Sequence, residues 1–289
     1  MSGCQFAWEV VIPSLPIGVS LATIGVSFRW WRDSALRLEE AGYEGIWLWD
    51  HFMPKGSRPN PVLEAWTTLT AVAALTSRVT LGTFVANIMN RHPAVLARMA
   101  ATFQEMSGGR LVLGLGIGGH PREHEAYGIP FPPASERVAR LEEGIAVIRA
   151  LWTGGPVDLP GRFYPLRGAL ALPVPNPPPP IVVGAESPGG VRLAARVGDG
   201  WTSPPEPFAK LEPIYRQALA SAGRNREAMR VLVGFEAGRA GEDALRDSPW
   251  VERPREELAT WQAQGADGVI VTARTDADVA GLVRAAERW

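Results

Sequence analysis

The chain has 289 residues, of which 46% are hydrophobic and 20% charged, and its 29 basic and 30 acidic residues leave a net charge of -1. These proportions are those of a globular protein and exclude a disordered chain, and the charge balance gives no case for binding nucleic acid or an anionic membrane. The single cysteine, Cys4, excludes an internal disulfide framework and fits a reducing cytoplasm. The sequence shows neither a signal peptide nor a run of about 18 apolar residues. We therefore expect a cytoplasmic protein that does not enter a membrane.

Hydrophobic residues alternate between strand-like and helix-like spacing along the chain. In the first half this pattern predicts a strand over residues 6–12, a loop rich in proline and glycine to about residue 28, a helix over 31–41, a strand over 45–49, a helix over 65–76, a strand over 79–85, a helix over 94–106 and a strand over 111–115. In the second half it predicts a helix over 137–151, a strand over 181–183, a helix over 191–197, a strand over 200–202, a helix over 208–222, a strand over 231–235, a helix over 255–264, a strand over 268–272 and a helix over 276–286.

These elements make eight strand–helix units in sequence. Such alternation predicts a parallel sheet with right-handed crossovers. Eight units in 289 residues match a closed (β/α)8 TIM barrel that forms one domain over residues 1–289, with a doubly wound open sheet as the alternative. Residues 153–180, between the fourth helix and the fifth strand, are crowded with glycine and proline. We expect an insertion there, with a small hairpin within residues 163–172.

Polar residues follow several of the predicted strands. Asp50 and His51 come directly after the second strand, Asn87 follows the third, and His120 follows the glycine-rich turn that ends the fourth. The C-terminal strand ends of a (β/α)8 barrel meet on one face and carry the active site. We therefore expect these side chains to converge, with His51 as a proton donor or acceptor because imidazole titrates near neutral pH. A purely structural role, in capping or packing, is the alternative for each.

A second glycine-rich turn lies between the fifth strand and its helix. Backbone N–H groups in such a turn, together with the helix N-terminus, favour an anion such as phosphate. The carboxylate of Glu186 opposes this interpretation, since it would repel an anion unless it points away. The residues predicted to hold the anion are Gly184, Ala185, Ser187, Pro188, Gly189 and Gly190.

Two short motifs near the fourth strand are weak. Glycines 114, 116 and 119 fit the dinucleotide-binding pattern, but Pro121 follows almost at once, so we predict no helix at this turn and no Rossmann site. His120 and His124 fit a zinc-peptidase pattern, yet the sequence nominates no third ligand. We therefore predict no metal site.

Longer motifs carry a family resemblance. They are Gly42-Tyr43 followed by Asp50-His51-Phe52, Arg91-His92-Pro93, Ser107-Gly108-Gly109-Arg110, Tyr127-Gly128-Ile129-Pro130 and Asp199-Gly200-Trp201. With these motifs, the chain resembles the bacterial luciferase-like superfamily of flavin- and deazaflavin-dependent oxidoreductases. The resemblance is to the branch that uses coenzyme F420 in particular.

The resemblance implies that the cofactor ring lies across the C-terminal mouth of the barrel, in front of a bulge made by a non-proline cis peptide bond, Phe84–Val85. It implies that Asp50 contacts the cofactor and that His51 lies beside the carbon that exchanges hydride. Further implied cofactor contacts are Asn87, Gly116, Gly118, Gly119, His120, Arg122 and the phosphate-binding turn at 184–190. A homodimer is implied as well, and Trp201 is expected to line the substrate pocket.

The expected function is hydride transfer between coenzyme F420 and a small organic substrate. An FMN-dependent monooxygenase is the first alternative, and a cofactor-binding paralogue without catalysis is the second. Superfamily members that act on sugar phosphates carry an acidic residue just after the glycine turn and lysines that bind the phosphate. Here Gly119 and Pro204-Pro205-Glu206 stand at those places, so the sequence disfavours a sugar phosphate without specifying the substrate.

Overall fold

Eight parallel strands with helices around them form the centre of the fold. The structure, a computed structural model, describes residues 15–54, 59–236 and 245–289, apart from the side chain of Arg246. Its strands are β1 (Leu15–Leu21), β2 (Tyr43–Leu48), β3 (Thr80–Thr83), β4 (Ala86–Asn87), β5 (Leu111–Gly116), β6 (Val157–Leu159), β7 (Leu166–Ala169), β8 (Ile181–Gly184), β9 (Gly200–Ser203), β10 (Arg230–Phe235) and β11 (Gly268–Ala273). Its α-helices are α1 (Phe28–Glu40), α2 (Ala65–Ala73), α3 (Pro93–Ser107), α4 (Pro121–Tyr127), α5 (Ala134–Leu151), α6 (Pro188–Val197), α7 (Pro205–Ser221), α8 (Pro249–Glu252), α9 (Pro254–Ala263) and α10 (Asp276–Ala286).

The sheet closes into a barrel. Its strand order is β3-β2-β1-β11-β10-β9-β8-β5, and β3 pairs with β5 to join the two ends. The neighbouring strands of this order run parallel. The short β4 follows β3 and pairs with β5 as well. The predicted (β/α)8 barrel is therefore confirmed, and the open sheet is excluded.

The first barrel strand differs from its prediction. Residues 6–12 lie outside the described residues, and β1 is formed by Leu15–Leu21, which the sequence assigned to a loop because of Pro16 and Gly18. Gly18 is needed in the strand, since a Cβ there would come within 2.9 Å of the Trp47 ring atom Cδ1. The glycine that suggested a loop therefore makes room for a side chain from the neighbouring strand.

The loops after the fourth strand also depart from prediction. The prediction that no helix begins at Pro121 is wrong: α4 starts there, with the proline in the first turn, where its missing N–H costs no hydrogen bond. In the insertion, β6 and β7 pair antiparallel, so the hairpin begins earlier than residues 163–172 and only its second strand was placed correctly. Among the described helices, none combines the length and apolar character that a membrane crossing requires.

Two aromatic side chains fill the interior of the barrel beneath its C-terminal mouth. Trp47 from β2 and Phe84 pack edge to face, with ring centroids 6.3 Å apart, among Val112, Val182 and neighbouring apolar residues. A Cβ on Gly82 or Gly234, which face them, would overlap one of these rings. The barrel interior is thus a packed floor, and an open cavity exists only above it.

Glu39 ties the end of α1 to the entry of β3. It is buried, and its Oε1 accepts hydrogen bonds from the backbone N–H groups of Ser77, Arg78 and Val79 at 2.8, 2.7 and 3.1 Å. Burial works to raise the pKa of this carboxyl group, but the three backbone donors outweigh it and lower the pKa below its usual value. The ionised form therefore stabilises the fold.

We expect Glu39→Gln to lower the free energy of unfolding by about 1–3 kcal/mol at pH 7, because a neutral amide accepts these bonds more weakly than a carboxylate. Since the folded-state pKa of Glu39 lies below the unfolded one, the contribution is present above the unfolded pKa of about 4.3 and is lost as pH falls through the folded pKa. Urea denaturation at pH 7 and at mildly acidic pH measures both effects. Glu40→Gln, at the exposed neighbouring position, is the control, and an equal loss there would contradict the prediction.

Candidate active site

A cavity of about 1030 Å³ opens at the C-terminal end of the barrel. Residues that follow β2, β3 and β5 line one side of it, and residues that follow β8, β9 and β10 line the other. The predicted site residues that contribute to its lining are Asp50, His51, Phe84, Val85, Asn87, Gly116, Gly118, Gly119, His120, Gly184, Ala185, Ser187 and Gly190. The structure therefore brings the two separate sequence predictions, the histidine cluster and the glycine-rich turn, to one space.

Four predicted site residues lie outside this lining, namely Arg122, Pro188, Gly189 and Trp201. Arg122 is exposed on α4. Trp201 is fully buried on the outer face of β9, where its ring stacks on Phe208 of α7 with centroids 5.2 Å apart. Successive residues of a strand face opposite sides, so Thr202 rather than Trp201 reaches the cavity. Trp201 thus packs between barrel and helix and is not part of the lining of this cavity.

His51 is held by a carboxylate that the sequence analysis did not nominate. Its Nδ1 lies 3.2 Å from Oε2 of Glu123, which comes from α4, 72 residues away along the chain. The same oxygen accepts the backbone N–H groups of Phe52 and Met53 at 3.0 and 3.4 Å. Only 2% of the Glu123 side chain is exposed, against 23% for His51. The carboxylate is therefore fixed behind the imidazole, which faces the cavity.

The environment of Glu123 keeps it ionised. Burial works to raise the pKa of the carboxyl group, but the hydrogen bonds from His51 and from the Phe52 N–H outweigh it and lower the pKa. A carboxylate on Nδ1 of an imidazole stabilises the tautomer with the proton on that nitrogen, as it does for metal-bound and catalytic histidines. The other nitrogen, Nε2, is then the one available to exchange a proton with a ligand.

Asp50 anchors the loop after β2 to the loop after β3. Its Oδ2 accepts from the Arg91 guanidinium at 2.7 Å, from the backbone N–H of Asn87 at 3.1 Å and from the Asn90 amide at 3.2 Å. Arg91 also binds Glu64 at 2.6 Å. The other carboxylate oxygen, Oδ1 of Asp50, is buried and has no partner in the described structure. Since Asp50 lines the cavity, this oxygen is an acceptor for a group placed there.

The fourth histidine of the chain lies beneath the cavity wall. His124 is buried, and its Nε2 lies 2.7 Å from Nδ2 of Asn87. Its ring packs against Phe131 with centroids 4.4 Å apart. Burial lowers the pKa of His124, which favours a neutral imidazole that accepts from the asparagine amide. His124 therefore supports Asn87 and belongs to the wall rather than to the reactive surface.

The peptide bond between Phe84 and Val85 is cis, as the resemblance implied. The Val85 side chain extends toward β5 and β8, where a Cβ on Gly116 or on Gly184 would come within 2.7 or 3.0 Å of Val85 Cγ2. Glycine at these two positions therefore lets Val85 form an apolar bulge in the cavity wall. Phe84, directly before it, belongs to the packed floor.

The glycine-rich turn after β8 ends at the N-terminus of α6. Ser187 is the N-cap residue and its Oγ accepts from the N–H of Gly190 at 3.3 Å. No atom lies within 4 Å of a Cβ placed on Gly189, so the first turn of the helix is accessible. Glu186 of the same turn lines the cavity, as do Glu206 and Glu236 from the next two strand ends. Among the described lining residues there is no lysine or arginine.

Known proteins resemble this chain over most of its length. Residues 14–285 match the family model described as luciferase-like monooxygenase. A protein of Nakamurella multipartita named F420-dependent glucose-6-phosphate dehydrogenase is 35% identical over 270 residues, which are 89% of this chain and 77% of that protein. One of the same name from Kineococcus radiotolerans is 37% identical over 198 residues, 66% of this chain and 58% of that protein. The chain thus spans little more than half of one relative and about three quarters of the other.

The fold has counterparts among solved structures. The structure of an F420-dependent secondary alcohol dehydrogenase in complex with an F420–acetone adduct superposes with a TM-score of 0.80 at 20% identity, covering 93% of this chain and 98% of that one. This likeness concerns the barrel alone. The match of residues 14–285 to the family model identifies this chain as a member of the luciferase-like monooxygenase family.

Proposed function

We propose that this protein is an oxidoreductase that uses coenzyme F420 to exchange hydride with a small organic substrate, and that it acts as a homodimer, as its resemblance implies. The observation that carries the proposal is the cavity at the barrel mouth, where His51, held by Glu123, faces the same space as the Val85 bulge. The relatives named for F420 support this cofactor over FMN. When bound, coenzyme F420 supplies a carbon that gives or accepts a hydride.

The residues of the cavity fit such a ligand. The buried Oδ1 of Asp50 lacks a hydrogen-bond donor, and a ring N–H or a hydroxyl group of the cofactor would satisfy it. Val85 offers an apolar surface for a planar ring, since the glycines at 116 and 184 leave it free to extend into the wall. Ser187, which lines the cavity, and the positive end of the α6 dipole are suited to a phosphate. Glu186 fits only if its exposed side chain points to solvent.

His51 moves the proton that accompanies hydride transfer. Reduction of a carbonyl substrate leaves a negative charge on its oxygen, and protonated His51 neutralises that charge by donating from Nε2. In the oxidising direction the neutral imidazole accepts the hydroxyl proton instead. Glu123 holds the ring in place and stabilises the positive charge that the imidazole then carries.

The charges around the cavity bear on the substrate. Phosphate groups are usually bound by lysine or arginine side chains, and the described lining contains neither, whereas it contains Glu206 and Glu236, which follow β9 and β10 rather than belonging to the glycine-rich turn after β8. We therefore propose a substrate without a phosphate group, although the relatives reported above are named for glucose 6-phosphate.

Titration of the purified protein with coenzyme F420 and with FMN, followed by tryptophan fluorescence, tests the cofactor. We expect saturable quenching by F420 and a much weaker response to FMN. Gly119→Trp should abolish the F420 response, because position 119 lines the cavity and a Cβ there meets no protein atom within 4 Å, so the indole fills the cavity without disturbing the fold. Gly155→Trp, at an equally open position outside the cavity, is the control.

The outcomes separate the candidate functions. Tight FMN binding without a response to F420 would favour the FMN-dependent monooxygenase, and it would overturn the proposal. Equal quenching in the Gly119→Trp protein would show that the cofactor binds elsewhere. Coenzyme binding without turnover of any alcohol or carbonyl compound would favour the non-catalytic paralogue.

A further inference from the structure

A second imidazole reaches the cavity beside His51. His120, from the turn after β5, has 19% of its side chain exposed, similar to the 23% of His51. The two rings meet edge to face, with centroids 5.9 Å apart and planes at 87°. The function proposed above assigns a proton transfer to His51 and none to His120.

The Glu123 carboxylate lies between the two imidazoles. Its Oε2 is 3.2 Å from Nδ1 of His51 and 3.6 Å from Nδ1 of His120. Nδ1 of His120 is buried and has no other hydrogen-bond partner in the described structure. Because the backbone N–H groups of Phe52 and Met53 also bind Oε2, this oxygen stays in place while the rings adjust. A shift of His120 by about half an ångström brings its Nδ1 within normal hydrogen-bond distance.

The single carboxylate of Glu123 limits the total positive charge that the two imidazoles can carry. One negative charge compensates one imidazolium, and two imidazolium rings at this separation repel each other. The state with His51 neutral and His120 protonated therefore has the same net charge as the state with His51 protonated and His120 neutral. The group of three residues can accept a proton on one ring and release one from the other without a change in its total charge.

We propose that His120 is a second proton-transfer residue of this site, and that Glu123 is the positioning residue that holds both imidazoles with the proton on Nδ1. The proposal rests on the function proposed above. When an alcohol is oxidised, its C–H bond breaks and the hydride passes to the oxidised deazaflavin. Its O–H bond breaks and the proton passes to Nε2 of His51, while the C=O bond forms.

The other half of the reaction needs a proton donor. A deazaflavin that takes up a hydride also takes up one proton on a ring nitrogen, and protonated His120 supplies it from Nε2. The alcohol thus loses one hydride and one proton. The deazaflavin would gain that hydride and one proton from His120, while His51 keeps the proton of the alcohol. Exchange with solvent then returns a proton to His120 and removes one from His51. Carbonyl reduction runs through the same steps in reverse.

Histidine side-chain NMR tests the positioning independently of any substrate. The chain has four histidines, so single His→Asn variants assign their ¹⁵N signals. We expect both His51 and His120 to carry the proton on Nδ1 when neutral, and we expect Glu123→Gln to change both signals. The signal of His92, which lies on the surface at the start of α3, should not change. An Nε2–H tautomer for either cavity histidine in the wild type, or a Glu123→Gln spectrum without change, would overturn the proposal.

Turnover tests the second proton transfer. With F420 and 2-propanol as hydride donor, His120→Asn should lower kcat about 10²-fold or more while the KM for F420 changes little. Added imidazole should restore part of the activity of His120→Gly, which a merely structural role of His120 would not predict. Full turnover by both variants would overturn the role of His120. A wild type that does not turn over 2-propanol would count against the proposed function, and the NMR result would then decide the role of Glu123 and His120 alone.

Discussion

Replacing His51 by asparagine should lower the turnover of F420 by about 10²- to 10⁴-fold, the usual contribution of general acid–base catalysis. In the wild type, Oε2 of Glu123 lies 3.2 Å from Nδ1 of His51. The asparagine amide can still donate a hydrogen bond to this carboxylate, so the loop after β2 keeps its anchor. It has no Nε2, and therefore nothing that exchanges a proton with the substrate. The loss of absorbance of oxidised F420, with 2-propanol as donor, measures the rate.

The affinity for F420 should stay within a few-fold of wild type in the same protein, because His51 contributes to the chemical step more than to binding. His92→Asn is the matched control, since His92 is exposed and asparagine is equally suited to cap α3. If the His51→Asn protein retains most of its turnover, another residue moves the proton and the proposed mechanism is wrong.

Replacing Arg91 by alanine should lower the free energy of unfolding by about 3–5 kcal/mol, the cost of removing one partner of a buried ion pair. Only 1% of the Asp50 side chain and 13% of Arg91 are exposed, so Asp50 would be left as a buried carboxylate without a counter-charge. Urea denaturation at pH 7 measures the change. We expect cofactor binding to weaken in the same variant, since Asp50 lines the cavity.

Two further variants separate charge from shape. Arg196 pairs with Glu142 at 2.9 Å, but 51% and 46% of these side chains are exposed. Arg196→Ala should therefore change stability by about 1 kcal/mol or less. Adding Asp50→Asn to Arg91→Ala should recover part of the lost stability, because the neutral amide needs no counter-charge. A double variant as unstable as Arg91→Ala alone would argue against the electrostatic explanation.

The sequence predicted the architecture because the spacing of hydrophobic residues, which distinguishes strands from helices, is a local property of the chain. The alternating periodicities of strand and helix depend on neighbouring residues, and they placed most barrel elements within a few residues of their observed ends. The rule that sites lie at the C-terminal strand ends then directed attention to Asp50, His51 and the turn at 184–190, and both of the first two residues and most of the turn line one cavity. The Phe84–Val85 cis bond was predicted by resemblance alone.

Glu123 was missed because its role depends on contacts between segments that are distant in the sequence. In the sequence it is one of several charged residues in a short polar segment, and Pro121 argued against a helix there. Its importance comes from contact with His51, 72 residues away, and from burial that leaves 2% of its side chain exposed. A pattern of neighbouring residues contains no information about either. The sequence treated the motif from His120 to His124 only as a weak zinc pattern, whereas the glutamate within it contacts His51 at the edge of the cavity.

Residue order along the chain is enough to specify alternating strands and helices and the barrel they form, because hydrophobic spacing and turn residues act over a few positions. The face that a given side chain occupies depends on its neighbours across the sheet. Gly18 lies in a strand because Trp47 needs its space, and Trp201 packs on Phe208 while Thr202 reaches the cavity. Contacts between distant segments, above all those of Glu123 with His51 and His120, arise only when the barrel closes and brings the ends of separate strands together.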